Sequence, residues 1–299
     1  MTTATIIAQG KTFTNFIGKE RLLGKYPGAV VAYSMRHIGT SYVGPLIRVR
    51  RSLDSKEQDF YAVDGWVSVS ELKAFAGQGS GYISIWYDQS GNSNHAIQQT
   101  PAAQPAIIVN GVISSFGSRM CAFFDGVDDF MPLPESICAL FNSGNGDYGI
   151  YASCLYGLNI TANLFALSSK TNPDPNQNNF MMYQTNRRSK SIGMYAQNYN
   201  GLANDILSAT NAASNRVYGI CFARENMQMK LIDQGGSKTE AAINIGPQNY
   251  KLVTLGSMRR GTNEELTVSD IKVGEFIIYD KSHMSMSEEI TTNIQSAFS

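Results

Sequence analysis

Between residues 29 and 280 the chain is cut into a dozen short apolar runs, each about strand length and rich in β-branched or aromatic residues. AVVAYSM, PLIRVRR, YISIWY, PAIIVNGV, CAFFDGV and YGIYASCLYGL make up the first half. NNFMMYQT, SIGMYAQ, RVYGICFA, MQMKLID, YKLVTLGS and VGEFIIYD make up the second. Runs of this length and composition predict β-strands. Turn residues punctuate them: NG at 110–111, DG at 125–126, NPDPNQNN at 172–179, QGG at 234–236 and RRGTN at 259–263. Two stretches read as helix. SVSELKAFAG (68–77) has Ser68 as a cap with Glu71 three residues on, and apolar Leu72, Phe75 and Ala76. SMSEEITTNIQSAF has Ser285 or Ser287 as a cap and Ile290, Ile294, Ala297 and Phe298 on one face. So many strands with so few helices predict an all-β fold of two packed sheets, a sandwich or jelly roll. Residues 1–24, polar and Thr-rich, are expected to form a short extended arm ahead of a single domain over 25–299.

A chain of 299 residues buries roughly three quarters of its unfolded surface and needs no covalent staples. Lys plus Arg and Asp plus Glu balance at 24 each, which argues against nucleic-acid binding and against electrostatic attachment to membranes. No apolar stretch reaches the ~20 residues of a membrane span, and the first residues lack a secretory h-region. The four cysteines are widely spaced, with Cys121 and Cys221 in apolar runs, so buried free thiols are expected rather than disulfides or zinc.

WYDQSGNSNH, residues 86–95, is the densest polar stretch. Asp88, Ser90, Asn92 and Asn94 alternate like the start of a calcium loop, but Ser93 and Gln99 stand where that loop needs glycine and glutamate. A catalytic reading would pair His95 with Ser90 and lacks an orienting third group. The favoured reading is a structural corner, with Asp88 accepting backbone N–H groups and Gly91 at positive φ.

Three stretches together carry a resemblance. AYSMRHIGTSYVGPLIRVRRSLDSKEQDF, followed by YISIWYDQSGNSNHAIQQTPAAQP, resembles the opening of the catalytic domain of the arabinofuranosidase B family, glycoside hydrolase family 54. AFFDGVDDFMPLP and YKLVTLGSMRRGTNEELTVSDIKVGEFIIYDKSHMSMSEE are similar to strands and turns of laminin-G-like and concanavalin A-like domains. The resemblance implies a two-sheet concanavalin A-like jelly roll. It also implies where a glycosidase would keep its chemistry, and there this chain departs. The family's vicinal cysteine pair is missing. Ala213 in NAASN stands near the nucleophilic glutamate's place, and Arg259 or Arg260 in VTLGSMRRG near the acid aspartate's. A retaining glycosidase needs two carboxyl groups about 5 Å apart, which Ala and Arg cannot supply.

Three further groups are candidates, each with a plainer reading. Tyr183, Tyr195 and Tyr199 with Asn179 and Asn198 form a candidate sugar platform, or ordinary sheet residues. Arg36, Arg48 and Arg50 form a candidate anion site, or a solvated face paired with Asp54, Glu57 and Asp59. Asp125, Asp128 and Asp129 are candidate calcium ligands, or a hairpin turn.

With no catalytic residue assigned and no cofactor required beyond that calcium, the expected function is a non-enzymatic structural protein of a bacteriophage virion. Chains combining these openings and endings resemble tail, fibre or head-surface decoration and adhesion proteins. Residues 1–24 would then dock onto other virion proteins, the body would form homo-oligomers, and a host surface glycan is the expected outside partner. The alternative is a carbohydrate-binding module, or an arabinofuranosidase-like glycoside hydrolase with relocated carboxylates facing each other in one site.

Overall fold

The computed structural model describes residues 2–8, 11–17, 21–144, 146–156, 161–170, 180–186, 191–197, 203–210, 217–233, 236–241, 246–261 and 265–298. Two antiparallel sheets dominate. The larger runs, edge to edge, through Gly236–Ala241, Gln228–Asp233, Val217–Glu225, Tyr148–Tyr156, Asp270–Tyr279, Ala122–Asp125, Ala106–Val109, Gly81–Trp86, Ile47–Arg51 and Glu57–Phe60. Ala29–Ser34 adds to Asp270–Tyr279. The smaller sheet orders Met131–Pro132, Leu252–Leu255, Thr161–Ser168, Phe180–Asn186, Ser191–Gln197 and Ala203–Thr210. The expected all-β sandwich is therefore the observed fold.

Asp270–Tyr279 shows why the sheet is central. Side chains alternate across a strand, so a strand covered on both faces is apolar throughout. Phe276 and Ile278 enter the core between the sheets, beside Phe165, Tyr183 and Phe222. Ile277 and Tyr279 point the other way, against the C-terminal helix Ser287–Phe298, whose Ile290, Ile294 and Phe298 are fully buried. A Cβ on Gly274 would come within 2.2 Å of the Phe298 ring, so the glycine sets how closely helix and sheet approach. That helix starts at Ser287, whose hydroxyl donates to the Met284 carbonyl of a preceding 3-10 turn instead of capping an N–H.

The other expected helix forms over Val69–Ala76, with the Ser68 hydroxyl accepting from the Glu71 N–H and Gly77 closing it at φ 61°. Two shorter helices, Leu22–Lys25 and Cys138–Asn142, had no periodicity to announce them. Asn110 and Gly111, at φ 47° and 77°, close the expected hairpin by pairing Val109 with Val112. The segment expected to be an extended arm contains two strands. Thr2–Ala8 and Lys11–Ile17 pair with each other as a hairpin, and buried Leu22 and Tyr26 belong to the core packed on the C-terminal helix. The body thus begins inside the stretch expected to be arm. All four cysteines are buried free thiols.

Candidate functional site

The 86–95 stretch is a corner that fastens two strands. Asp88 is 1% exposed and both its oxygens are filled. Oδ1 accepts from the N–H of Ala32 at 2.8 Å and of Ser90 at 2.9 Å. Oδ2 accepts from the Ser90 hydroxyl at 2.7 Å and the Asn94 N–H at 3.0 Å. His95 Nδ1 accepts the Asp88 N–H, and burial lowers the imidazole's pKa. The amides of Asn92 and Asn94 donate to the carbonyls of Ala29 and Val30. Gln89 bridges the Arg36 carbonyl and the Ile38 N–H. A carboxylate so engaged has no lone pairs to give a cation, and the Nδ1 of His95 is taken up by the backbone of the corner itself.

The structure does bring Asp125, Asp128 and Asp129 together: one oxygen from each lies within 4.8 Å of the others. Asp125 ends the strand Ala122–Asp125, Gly126 turns the chain at φ 78°, and the backbone doubles back into Met131–Pro132 of the other sheet. Two contacts tie the turn: the Val127 N–H to Asp125 Oδ1 at 2.8 Å, and the Asp125 N–H to Asp129 Oδ2 at 3.0 Å. Asp128 makes no hydrogen bond or ion pair among the described residues and is half-buried. Asp129 is 5% exposed, and burial pushes its carboxyl up to about 7, with the charges of Asp125 and Asp128 adding to the rise. Phe130 follows, its N–H bonded to the Ala103 carbonyl and its own carbonyl to the Gln98 amide. The guanidinium of Arg259 lies 5.0 Å from the Phe130 ring centroid.

This set was also the candidate for calcium. Calcium takes six to eight oxygens, preferably ionised carboxylates. Here two of the carboxylate oxygens are engaged by backbone N–H groups.

The remaining candidates separate. Arg36, Arg48 and Arg50 do not form an anion site, because each guanidinium has partners of its own. Arg36 forks onto fully buried Glu275 at 2.8 and 2.9 Å, Arg48 forks onto Asp59 at 2.8 Å twice, and Arg50 bonds Gln104 and the Pro101 carbonyl. Tyr183 cannot belong to a surface platform: it is 0% exposed, packed against the rings of Phe165 and Phe222, with its hydroxyl donating to that of Tyr148. Tyr195 lies on the strand Ser191–Gln197, while Tyr199, Asn179 and Asn198 fall outside the described residues, as does Ala213. Reading the sequence singled out Arg259 only as a replaced acid. Its contact with the ring of Phe130, the residue after Asp129, had no local signal.

Residues 24–114 match the family model described as the catalytic domain of α-L-arabinofuranosidase B. No curated protein matches the chain. Among solved structures, a point mutant of a family-54 α-L-arabinofuranosidase soaked with 4-nitrophenyl α-L-arabinofuranoside superposes with a TM-score of 0.64 at 15% identity, over 93% of this chain and 64% of that one. An arabinofuranosidase complexed with arabinofuranosyl-α-1,2-xylobiose gives 0.59 at 15% identity over the same shares. A family-54 enzyme soaked with a cyclic sulfate inhibitor gives 0.59 at 16%. The chain thus spans a little under two thirds of the length of these relatives. The expectation of a non-enzymatic virion part is corrected by these findings: what the chain is similar to is the catalytic domain of a glycoside hydrolase. Its two sheets share the fold of the family-54 arabinofuranosidase structures over nearly its whole length.

Proposed function

We propose that the chain is an arabinofuranosidase-like glycoside hydrolase whose carboxylates have moved to the 125–129 turn. The observation that carries this is the pairing of a buried, proton-holding Asp129 with a second carboxylate less than 5 Å away. Two carboxyl groups at about that distance, with environments that push their proton affinities apart, are what a retaining glycosidase uses. Asp129 is the acid. Asp128, with no bond to the backbone of the turn, is the nucleophile. Asp125 shapes the turn and, through its charge, helps Asp129 keep its proton.

In the first step an Asp128 oxygen attacks the anomeric carbon, the glycosidic bond breaks, and the Asp129 proton passes to the departing oxygen. In the second, water adds to the anomeric carbon, its proton returns to Asp129, and the ester to Asp128 opens. Furanosides are the substrates the similarity favours. The test is release of 4-nitrophenol from its α-L-arabinofuranoside by the wild-type chain and by Asp128→Asn and Asp129→Asn. 4-Nitrophenolate departs without a proton, so the acid is read on arabinofuranosyl-α-1,2-xylobiose, whose sugar leaving group needs one; general acid catalysis contributes about 10²–10⁴-fold, so there Asp129→Asn should lose at least ~100-fold in kcat/KM. Wild-type turnover of that substrate that either variant retains, or a wild-type chain without turnover, refutes the assignment.

A further inference from the structure

An open groove of about 500 Å³ lies on the far side of the 86–95 corner, lined by Gly28, Asn92, Asn94, Ser136, Ile137 and Asp280, with the start of the strand Ala29–Ser34. Its size is that of small-molecule sites, roughly 300–1,000 Å³. Its chemistry is lopsided. Asn92 Nδ2 donates to the carbonyls of Ala29 and Val30, and Asn94 Nδ2 donates once, to the carbonyl of Val30. Their Oδ1 atoms accept nothing from the described residues, and neither does the exposed Asp280 carboxylate. Gly28 lies beside Asp280, and its φ of 93°, rather than any crowding there, is what favours glycine. Buried Ile137 adds an apolar surface, and the exposed Ser136 hydroxyl adds one donor.

Among the lining residues the unpartnered acceptors, two amide oxygens and one carboxylate, outnumber the free donors, which suits a ligand that brings donors. A metal ion is a poor answer, since calcium needs six to eight close oxygens and this groove is wide with a single charge. A polyhydroxyl ring matches, because vicinal hydroxyls can fork onto a carboxylate while neighbouring hydroxyls meet the amide oxygens. We infer that this groove binds a neutral sugar residue of a polysaccharide, as a second site apart from the 125–129 turn. The choice of a saccharide as ligand rests on the proposed hydrolase reading; the groove and its acceptor lining do not.

The probe is xylotriose, which carries no arabinofuranosyl bond to cleave. It is titrated by calorimetry into the full chain and into Asp280→Ala and Ser136→Trp, with thermal melts confirming that both variants fold. The expected result is binding that weakens about tenfold in Asp280→Ala and disappears in Ser136→Trp, while release of 4-nitrophenol stays at the wild-type rate. Xylotriose binding that both variants retain overturns the site, as does no binding by the wild-type chain at about 10 mM. Binding that behaves as expected in a chain without turnover keeps the groove and removes the hydrolase reading, so the two fail separately.

Discussion

Replacing Asp88 by alanine removes the acceptor of four hydrogen bonds at once, and the structure says which of them water can replace. Ser90 and Asn94 are half-buried, so their donors can turn to solvent. The Ala32 N–H cannot: Ala32 is fully buried in a strand between the corner and the C-terminal helix. A buried donor left without a partner costs about 1–3 kcal/mol, and each bond to a charged acceptor is worth about 1.5–3 kcal/mol before rehydration. Counting the Ala32 N–H in full and the three others at a fraction, Asp88→Ala should lose about 3–5 kcal/mol. Asp88→Asn keeps the shape but turns an NH2 toward donors, so it should lose less, about 1–3 kcal/mol. Urea titration followed by tryptophan fluorescence reads this directly, since Trp86 lies two residues away in the core. The midpoint should fall with little change in slope. A loss under about 1 kcal/mol for Asp88→Ala would refute the corner as a structural fastening. Equal stability of the wild-type chain with and without EDTA is expected, because the carboxylate is filled by N–H and O–H groups.

Asp129 sets a pH dependence of the opposite sign to most carboxylates. Its folded value, about 7, lies above the usual 3.8, so the native state holds a proton the unfolded chain has lost. Stability from this group is therefore complete below about pH 4 and is lost as pH rises toward 7, by up to about 4 kcal/mol at 1.36 kcal/mol per pH unit. Asp129→Asn should flatten that interval in melts between pH 4 and 8, and the wild-type kcat/KM should decline above about pH 7. Gly274→Ala should cost about 1–3 kcal/mol by pushing Phe298 off the sheet, and Phe298→Ala in the same chain should absorb most of that cost, a non-additivity a double-mutant cycle would show. The four thiols are buried with pKa values of about 12, so a thiol reagent at pH 8 should label none until denaturant is added and then all four.

Much of the architecture was legible because it is local. VGEFIIYD reads as a strand buried on both faces, NG at 110–111 demands the positive φ that a tight hairpin supplies, and Ser68 with Glu71 announces a helix start. Asp88 and its amide neighbours spelled a corner for the same reason: short polar side chains bond to backbone within a few residues. What escaped were elements whose apolar pattern is weak or whose role comes from a distant partner. Thr161–Ser168 and Gly236–Ala241 are strands made by pairing more than by composition. Tyr183 looked like a surface aromatic and lies in the core, because only the packing of two sheets decides which face of a strand is covered. Arg36 found Glu275, which lies 239 residues away. The resemblance to an arabinofuranosidase opening could be read from the residues, and the fold extends that likeness over 93% of the chain. Asp129 directly precedes Phe130, whose ring the Arg259 guanidinium covers at 5.0 Å, a contact between residues 129 positions apart that no local pattern announces. The sequence by itself determined the strands, turns and free thiols, since these depend on neighbours along the chain. Burial and charge proximity, which decide whether Asp129 holds a proton, arise only when strands far apart in sequence close over the turn.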